Sequence, residues 1–323
     1  MTTLTALHRH ALPSLPLVIF GALLMYLALQ APVLMELYTL NLILRQSLPT
    51  VVVCLGLSVV VMVCGDDAVA GGIDLSIPAS AVLAAGIVAS QVANHGTPVV
   101  WAIALAFAAA LLVGGVVATL VVTVGMTPLL ASLASSVAVL GITKWVVDNR
   151  RINLSDPLIV YLRDAEVAGI SASVLWVLLG VLMFYSLLHR TRWGMNLQAV
   201  GGNRDAAELS GIASSSLIAQ AFVLASATGA AAALLLLARG SGFTPGSEEN
   251  LLLEMVLATY LGAAFSPRRV VTLWGAVLGA VLVSALSVGF KSIGVDIFWT
   301  GCIKGALILL VVASSALVRK SGN

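Results

Sequence analysis

The chain has 323 residues, of which 60% are hydrophobic and 9% charged, with a net charge of +2. An average soluble domain carries roughly 25% charged residues, so these few charges could not cover the surface of a soluble globule. The same composition excludes an intrinsically disordered chain, and the near-neutral balance leaves no basic field for nucleic acid.

Charge-free stretches mark the expected elements, since a helix crossing a bilayer needs ~20 apolar residues. The first runs from Ala11 to Met35. It is longer than the apolar core of a cleaved signal and lacks a small-residue cleavage site, so it is read as the first span. Gln46 to Gly65 is the second. Leu75 to Thr143 contains no Asp, Glu, Lys or Arg. Turn signals at Asn94-His95-Gly96-Thr97-Pro98 and Val124-Gly125-Met126-Thr127-Pro128 cut it into three spans, with each proline where a helix begins. Ser173 to Leu188, Ser214 to Ala238, Leu251 to Phe265, Val270 to Gly289 and Ile297 to Val318 follow. The expected fold is all-α: a polytopic membrane protein of about ten transmembrane helices, with a broken segment near residues 65–76, all in a single transmembrane domain over 1–323.

Little lies outside the spans. The main loops are Asp148 to Ser171, His189 to Ala213 and Arg239 to Asn250. With ten spans and both ends inside, the basic residues divide about eight to eight, so charge bias decides little. Clusters at His189-Arg190-Thr191-Arg192, Arg268-Arg269 and Arg319-Lys320 abut helix ends and favour the cytoplasmic side.

The chain has no G-x-x-x-x-G-K-[ST], no H-E-x-x-H and no G-x-S-x-G. Cys54, Cys64 and Cys302 form no C-x-x-C pair and read as small apolar packing residues. No catalytic residue, metal ligand or cofactor is expected. Polar residues in or beside membrane spans then become the functional candidates.

The first group is Cys64-Gly65-Asp66-Asp67-Ala68-Val69-Ala70-Gly71-Gly72-Ile73-Asp74-Leu75-Ser76. Four glycines disfavour a continuous helix, each costing ~1 kcal/mol relative to Ala. Unwound backbone at membrane depth survives only where protein buries it or water lines it. Three readings fit: an ordinary hairpin in which Asp74 and Ser76 cap the next helix, a path-lining segment built on Gly72, Asp74 and Ser76, and a metal or proton site. The second group is Gly201-Gly202-Asn203-Arg204-Asp205-Ala206-Ala207-Glu208-Leu209-Ser210-Gly211-Ile212. Asn203 suits a helix N-cap, Asp205 and Glu208 suit the positive helix end, and Gly211 is a stop. So short a helix is not stable alone. It is either a surface helix packed on its own membrane domain or a docking helix for a cytoplasmic subunit. The third group is lone charges. Lys144 and Lys291 lie near helix ends, where lysine snorkels to the interface. Lys304 lies ~10 Å inside its span at 1.5 Å per residue, so it should pair with a carboxylate or with carbonyls, and Glu254 is a possible partner. Gly275 and Gly279 suit close helix packing.

These residues carry a resemblance. Leu188-His189-Arg190-Thr191-Arg192-Trp193-Gly194, then Gly201-Gly202-Asn203, Ala206-Ala207 and Ser210-Gly211-Ile212 follow the order H-x-T-x-x-G, G-G-N, A-A, S-G-I. Gly72-Ile73-Asp74-Leu75-Ser76 matches G-I-D-L-S, and Arg239 with Pro245 matches A-R-x(5)-P. Leu261-Gly262, Gly275 with Gly279, and Lys304 also fall on shared positions. From about Leu40 to Val312 the chain resembles the membrane-spanning permeases of bacterial ABC importers of the ribose, xylose, arabinose and galactose class, a group that includes autoinducer-2 and nucleoside permeases.

The resemblance implies a permease that pairs with a second permease chain in the bacterial inner membrane, with both termini cytoplasmic. It implies cytoplasmic ABC ATPases docking at Gly202, Asn203, Arg204, Ala206, Ala207, Glu208 and Gly211, and a periplasmic sugar-binding protein delivering the solute. Gly72, Asp74, Ser76, Glu254 and Lys304 would line the substrate path. The chain departs from the pattern in about six extra residues near Cys64 to Ala70, in Pro78, in Leu140 with Lys144 one turn later, in Leu252-Leu253-Glu254, and in a reduced loop from Gly262 to Arg269. That drift suggests one of two different permeases in a heterodimer. The rival class is a secondary transporter using Asp74, Glu254 or Lys304 as an ion relay; a lipid-modifying enzyme would lack any acid–base or metal cluster.

Overall fold

The computed structural model describes residues 17–65, 72–266 and 270–320. Its long helices are α1 (Leu17–Gln30), α2 (Leu37–Cys64), α3 (Ser76–His95), α4 (Val99–Val122), α5 (Pro128–Val146), α7 (Ala172–Arg190), α10 (Ser214–Gly240), α11 (Ser247–Ala263), α12 (Leu273–Ser292) and α13 (Ile297–Lys320). Shorter ones, α6 (Pro157–Asp164), α8 (Arg192–Gly202) and α9 (Arg204–Leu209), sit in the loops. Among the described residues seven helices are long and apolar enough to cross a membrane: α2, α3, α4, α5, α7, α10 and α12. The protein is an all-α, multi-pass membrane protein. Strand structure is limited to residue pairs, β1 (Ile152–Asn153) with β4 (Gly242–Phe243) and β2 (Glu166–Val167) with β3 (Ile170–Ser171), both antiparallel.

Both turn signals fall where expected. α3 ends at His95, Gly96 caps it in the left-handed region (φ 64°), and Pro98 precedes α4. Pro128 opens α5. The first two spans differ from the charge-based boundaries. α1 ends at Gln30, a 3-10 turn follows at Pro32–Met35, and α2 begins at Leu37 rather than Gln46. Cutting at Arg45 removed the first turns of a 28-residue helix. At 1.5 Å per residue α2 is about 42 Å long, more than a hydrocarbon core needs, so a charge near one end is tolerated. The extra residues from Asp66 to Ala70 lie outside the described residues.

The chain forms two compact units, Leu48–Leu252 and Met1–Ser47 with Leu253–Asn323. In the first, α3 and α10 are mostly buried along their lengths, and glycines let neighbours approach closely. A Cβ on Gly229 of α10 would lie 2.8 Å from the Ile77 carbonyl of α3, and one on Gly114 of α4 would lie 2.9 Å from the Phe222 carbonyl of α10. In the second unit, Gly275 of α12 lies against Gly262 of α11, and Gly279 against the Ala258 carbonyl. This is the close packing that small residues four apart permit.

Candidate functional site

Three constellations gather the polar residues singled out by sequence. The first is the break between α2 and α3. α2 stops at Cys64, and Gly65 takes a positive φ of 95°. The described chain resumes at Gly72, whose N–H donates to the Gly65 carbonyl at 3.3 Å. A Cβ at position 72 would lie 2.6 Å from the Val60 carbonyl, so only glycine lets the returning strand lie this close to the last turn of α2. Asp74 is fully buried. Its Oδ1 accepts from the Ser76 N–H at 2.8 Å and from the Ser76 hydroxyl at 2.6 Å. Asp74 therefore caps the start of α3 as expected, while Ser76 serves as donor to Asp74 and not as a cap itself.

Ser132 of α5, which sequence reasoning missed, clasps the same segment. Its hydroxyl accepts from the Leu75 N–H at 3.0 Å, and its one proton is shared between the Leu129 carbonyl of its own helix at 3.2 Å and the Ile73 carbonyl at 3.3 Å. The Leu75 N–H beside the break is thus satisfied from a helix 57 positions away.

The second constellation joins α7 to α10. Thr191 caps α8, accepting from the Gly194 N–H at 3.2 Å and donating to the Leu187 carbonyl at 2.6 Å. Gln198 donates to the Leu188 carbonyl at 2.8 Å. Gly201 lies directly against the Met62 carbonyl, leaving no room for a side chain. α8, which leads into α9, and the break therefore lean on the same final turn of α2. Asn203 caps α9 through its Oδ1, which accepts from the Ala206 N–H at 3.0 Å. Arg204 Nε donates to Glu208 Oε1 at 3.0 Å and to the Ser214 hydroxyl at 3.2 Å, and Ser214 in turn donates to Glu208. The Ser214 hydroxyl, and after it Arg204, hold the Glu208 carboxyl below the usual carboxylate range. Gly211 takes φ 82°, and the Ile212 N–H closes the turn on the Ala207 carbonyl at 3.0 Å. Gly202, Asn203, Arg204, Ala206 and Glu208 are exposed, and Ala207 is buried beneath them. Leu209 is 91% exposed, an apolar side chain at the tip of a polar lever. Sequence reasoning did not single it out, because one leucine in a short helix is no signal.

The third constellation lies wholly in the other unit. Lys304 Nζ of α13 donates to Glu254 Oε1 of α11 at 2.8 Å, with both residues buried. The pairing expected from the lysine's depth is present. Lys144, by contrast, is exposed at the end of α5, beside a cleft that also takes in Phe243, Pro245 and Glu248.

A family described as branched-chain amino acid transport system / permease component matches residues 39–312. The chain is 25% identical to the galactose/methyl galactoside import permease of Salmonella typhimurium over 93% of both chains. It is 27% identical to the fructose import permease of Rhizobium meliloti, covering 77% of this chain and 71% of that one. It is also 27% identical to the ribose import permease of Bacillus subtilis, covering 75% and 76%. No solved structure matches. With apolar helices along its length, a capped lever between two of them and a family match over most of its residues, the chain belongs to the branched-chain amino acid transport system permease component family.

Proposed function

We propose that this protein is the membrane-spanning permease of an ATP-driven importer of a monosaccharide or related small polar solute in a bacterial inner membrane, with both termini cytoplasmic and the whole chain acting as one transmembrane domain. The galactose, fructose and ribose importers it resembles support the solute class. A cytoplasmic ABC ATPase grips the lever from Gly202 to Gly211, a second permease chain completes the gate, and a periplasmic sugar-binding protein presents the solute. The chain itself performs no chemistry. Gly72, Asp74, Ser76, Glu254 and Lys304 line the path.

The observation that carries this reading is α9: a capped, six-residue helix whose only buried side chain is Ala207 and whose tip is an exposed leucine. An exposed leucine at the tip of an otherwise polar, capped helix suits a contact with a partner. Gly201 against Met62 then gives the lever a way to move the last turn of α2, and Gly72 against Val60 gives that turn a way to move the break. A ligand or partner shifts such an equilibrium only through unequal affinity for its two states, and the ATP-bound ATPase dimer supplies that inequality.

Uptake of labelled galactose, fructose, ribose and leucine into vesicles holding the permease, its ATPase and the binding protein tests the proposal. We expect transport of a sugar that stops when the ATPase is inactivated and survives collapse of the proton gradient. Leu209→Asp changes only an exposed side chain, so it should leave the permease folded and paired while abolishing uptake and ATPase retention. Normal uptake in that variant would remove the docking role. Uptake that follows the proton gradient and ignores the ATPase would favour an ion-coupled transporter.

A further inference from the structure

Buried hydroxyls in these helices mostly donate back to a carbonyl one turn earlier, as Ser58 does to Cys54 at 2.7 Å, Thr143 to Val139 at 2.8 Å and Thr228 to Ala225 at 2.7 Å. Some buried polar atoms depart from this habit, Ser226 of α10 and Thr259 of α11 among them, and three lie on or near the break. Asp74 Oδ2 is buried and finds no hydrogen-bond donor among the described residues. The same holds for the hydroxyl of Ser80, one turn along α3 from Ser76, and of Ser135, one turn along α5 from Ser132. An unmade hydrogen bond on a buried acceptor is costly, above all when the acceptor belongs to a carboxylate, so such an atom calls for a partner from outside the chain, a ligand or an ordered water. The helix cap does not use it. Both bonds from Ser76 go to Oδ1.

We propose that Asp74 Oδ2 is a binding atom: it accepts a hydrogen bond from a hydroxyl of the transported solute, and the Ser80 and Ser135 hydroxyls are the next polar groups along α3 and α5. The donor class follows from the groups available. A hard metal ion takes six or more oxygen ligands, whereas these residues offer one uncommitted carboxylate oxygen and hydroxyls that both donate and accept. A neutral polyhydroxylated molecule matches that set. A transported solute must be held with unequal affinity in the two states of its carrier, and a bond to this oxygen is a source of such a difference. This inference rests on the sugar-import reading above and assigns that path an atom and a ligand chemistry.

Asp74→Asn isolates the atom. It keeps the side-chain shape and an oxygen to cap α3, turns the uncommitted acceptor into a donor, and removes the charge. Residues kept for binding at the expense of stability show a distinctive signature when replaced: the protein gains stability and loses function. In the reconstituted complex we expect the apparent unfolding midpoint to hold or rise, by roughly 2–4 °C, while uptake of the transported sugar falls at least ~10-fold through KM, equivalent to the loss of one hydrogen bond to a charged group. A midpoint and an uptake that fall together would reduce Asp74 to a helix cap and overturn the proposal. Unchanged uptake would overturn it too. If the wild-type complex carries none of the sugars, the importer reading fails, and a lowered midpoint in Asp74→Asn would still sink this inference separately. Should the variant not assemble, carbodiimide labelling of Asp74 in the wild-type complex decides. Slower labelling in the presence of the transported sugar supports the proposal, and a rate indifferent to sugar refutes it.

Discussion

Among the described residues two carboxylates are buried, and they are handled in opposite ways. Glu254 receives a full countercharge from Lys304 at 2.8 Å. Asp74 is held by the Ser76 N–H and hydroxyl on one oxygen, while the other has no donor among the described residues. A charge in an apolar interior must be neutralised or richly hydrogen-bonded. Glu254 meets that demand in part through Lys304 on another helix, a contact that ties α11 to α13. Asp74 meets it halfway, with local donors that belong to its own helix start. The first arrangement resists change, because separating the pair strands two charges. The second can change at small cost, because its partners travel with it.

The largest effect that would break this contrast comes from Lys304→Met. Removing one partner of a buried pair costs about 3–5 kcal/mol, measured as the shift in denaturant or thermal unfolding of the detergent-solubilised protein. Adding Glu254→Gln to Lys304→Met should restore most of that loss, since two neutral groups need no mutual compensation. A mild effect of Lys304→Met, comparable to that of Asp74→Asn, would erase the distinction between the two carboxylates.

A smaller effect sharpens the other side. Gly72→Ala places a methyl where the Val60 carbonyl now lies 2.6 Å away. Forcing a methyl into so close a contact costs about 1–3 kcal/mol, and the strain falls on the segment that carries Asp74. We expect a modest loss of stability with a larger loss of uptake, because the last turn of α2 is where the lever and the break meet. Gly201→Ala presses on the same turn from the Met62 side. The two substitutions should therefore be non-additive, with a coupling term of about 0.5–3 kcal/mol in a double-mutant cycle. Strict additivity would remove α2 as the link.

Much of this was legible in the sequence, for reasons that are local. Pro98 and Pro128 follow turn residues, a combination that ends one helix and opens the next, whereas Pro49, without such neighbours, lies inside α2. Asn203 reads as a cap because its short amide can reach N–H groups only at a helix start. Lys304 announced a partner because of its depth in an apolar run. What stayed hidden depends on contacts between distant segments. Ser132 looks like any serine on an apolar helix until α5 lies beside the break. Gly201 and Gly72 look like flexible loop residues, whereas each is glycine because a backbone carbonyl of α2 occupies the space a side chain would need. α8 was read as loop because Gly194, Gly201 and Gly202 weaken its helix propensity. Its cap at Thr191 and its fit on α2 outweigh that weakness.

A third carboxylate serves as the exposed control for the buried two. Glu208 lies in water on α9, with its carboxyl held below the usual range by Ser214 first and Arg204 second. Because the folded value is the lower one, the stabilisation is present above the ordinary carboxylate pKa and is lost as pH falls through the lowered value. Above that window pH has no grip on the lever. Hydrogen exchange of the amides from Ala206 to Ile212 should therefore be protected to the same degree through the neutral range and lose protection only in acid. Glu208→Gln should abolish that acid limb. At neutral pH it should change protection little, since an exposed pair contributes modestly and salt screens it. If Glu208→Gln instead unravelled the lever at neutral pH, the network around Ser214 would outweigh the Asn203 cap. Exposure would then no longer separate this carboxylate from Glu254, whose pairing the surrounding apolar helices make indispensable.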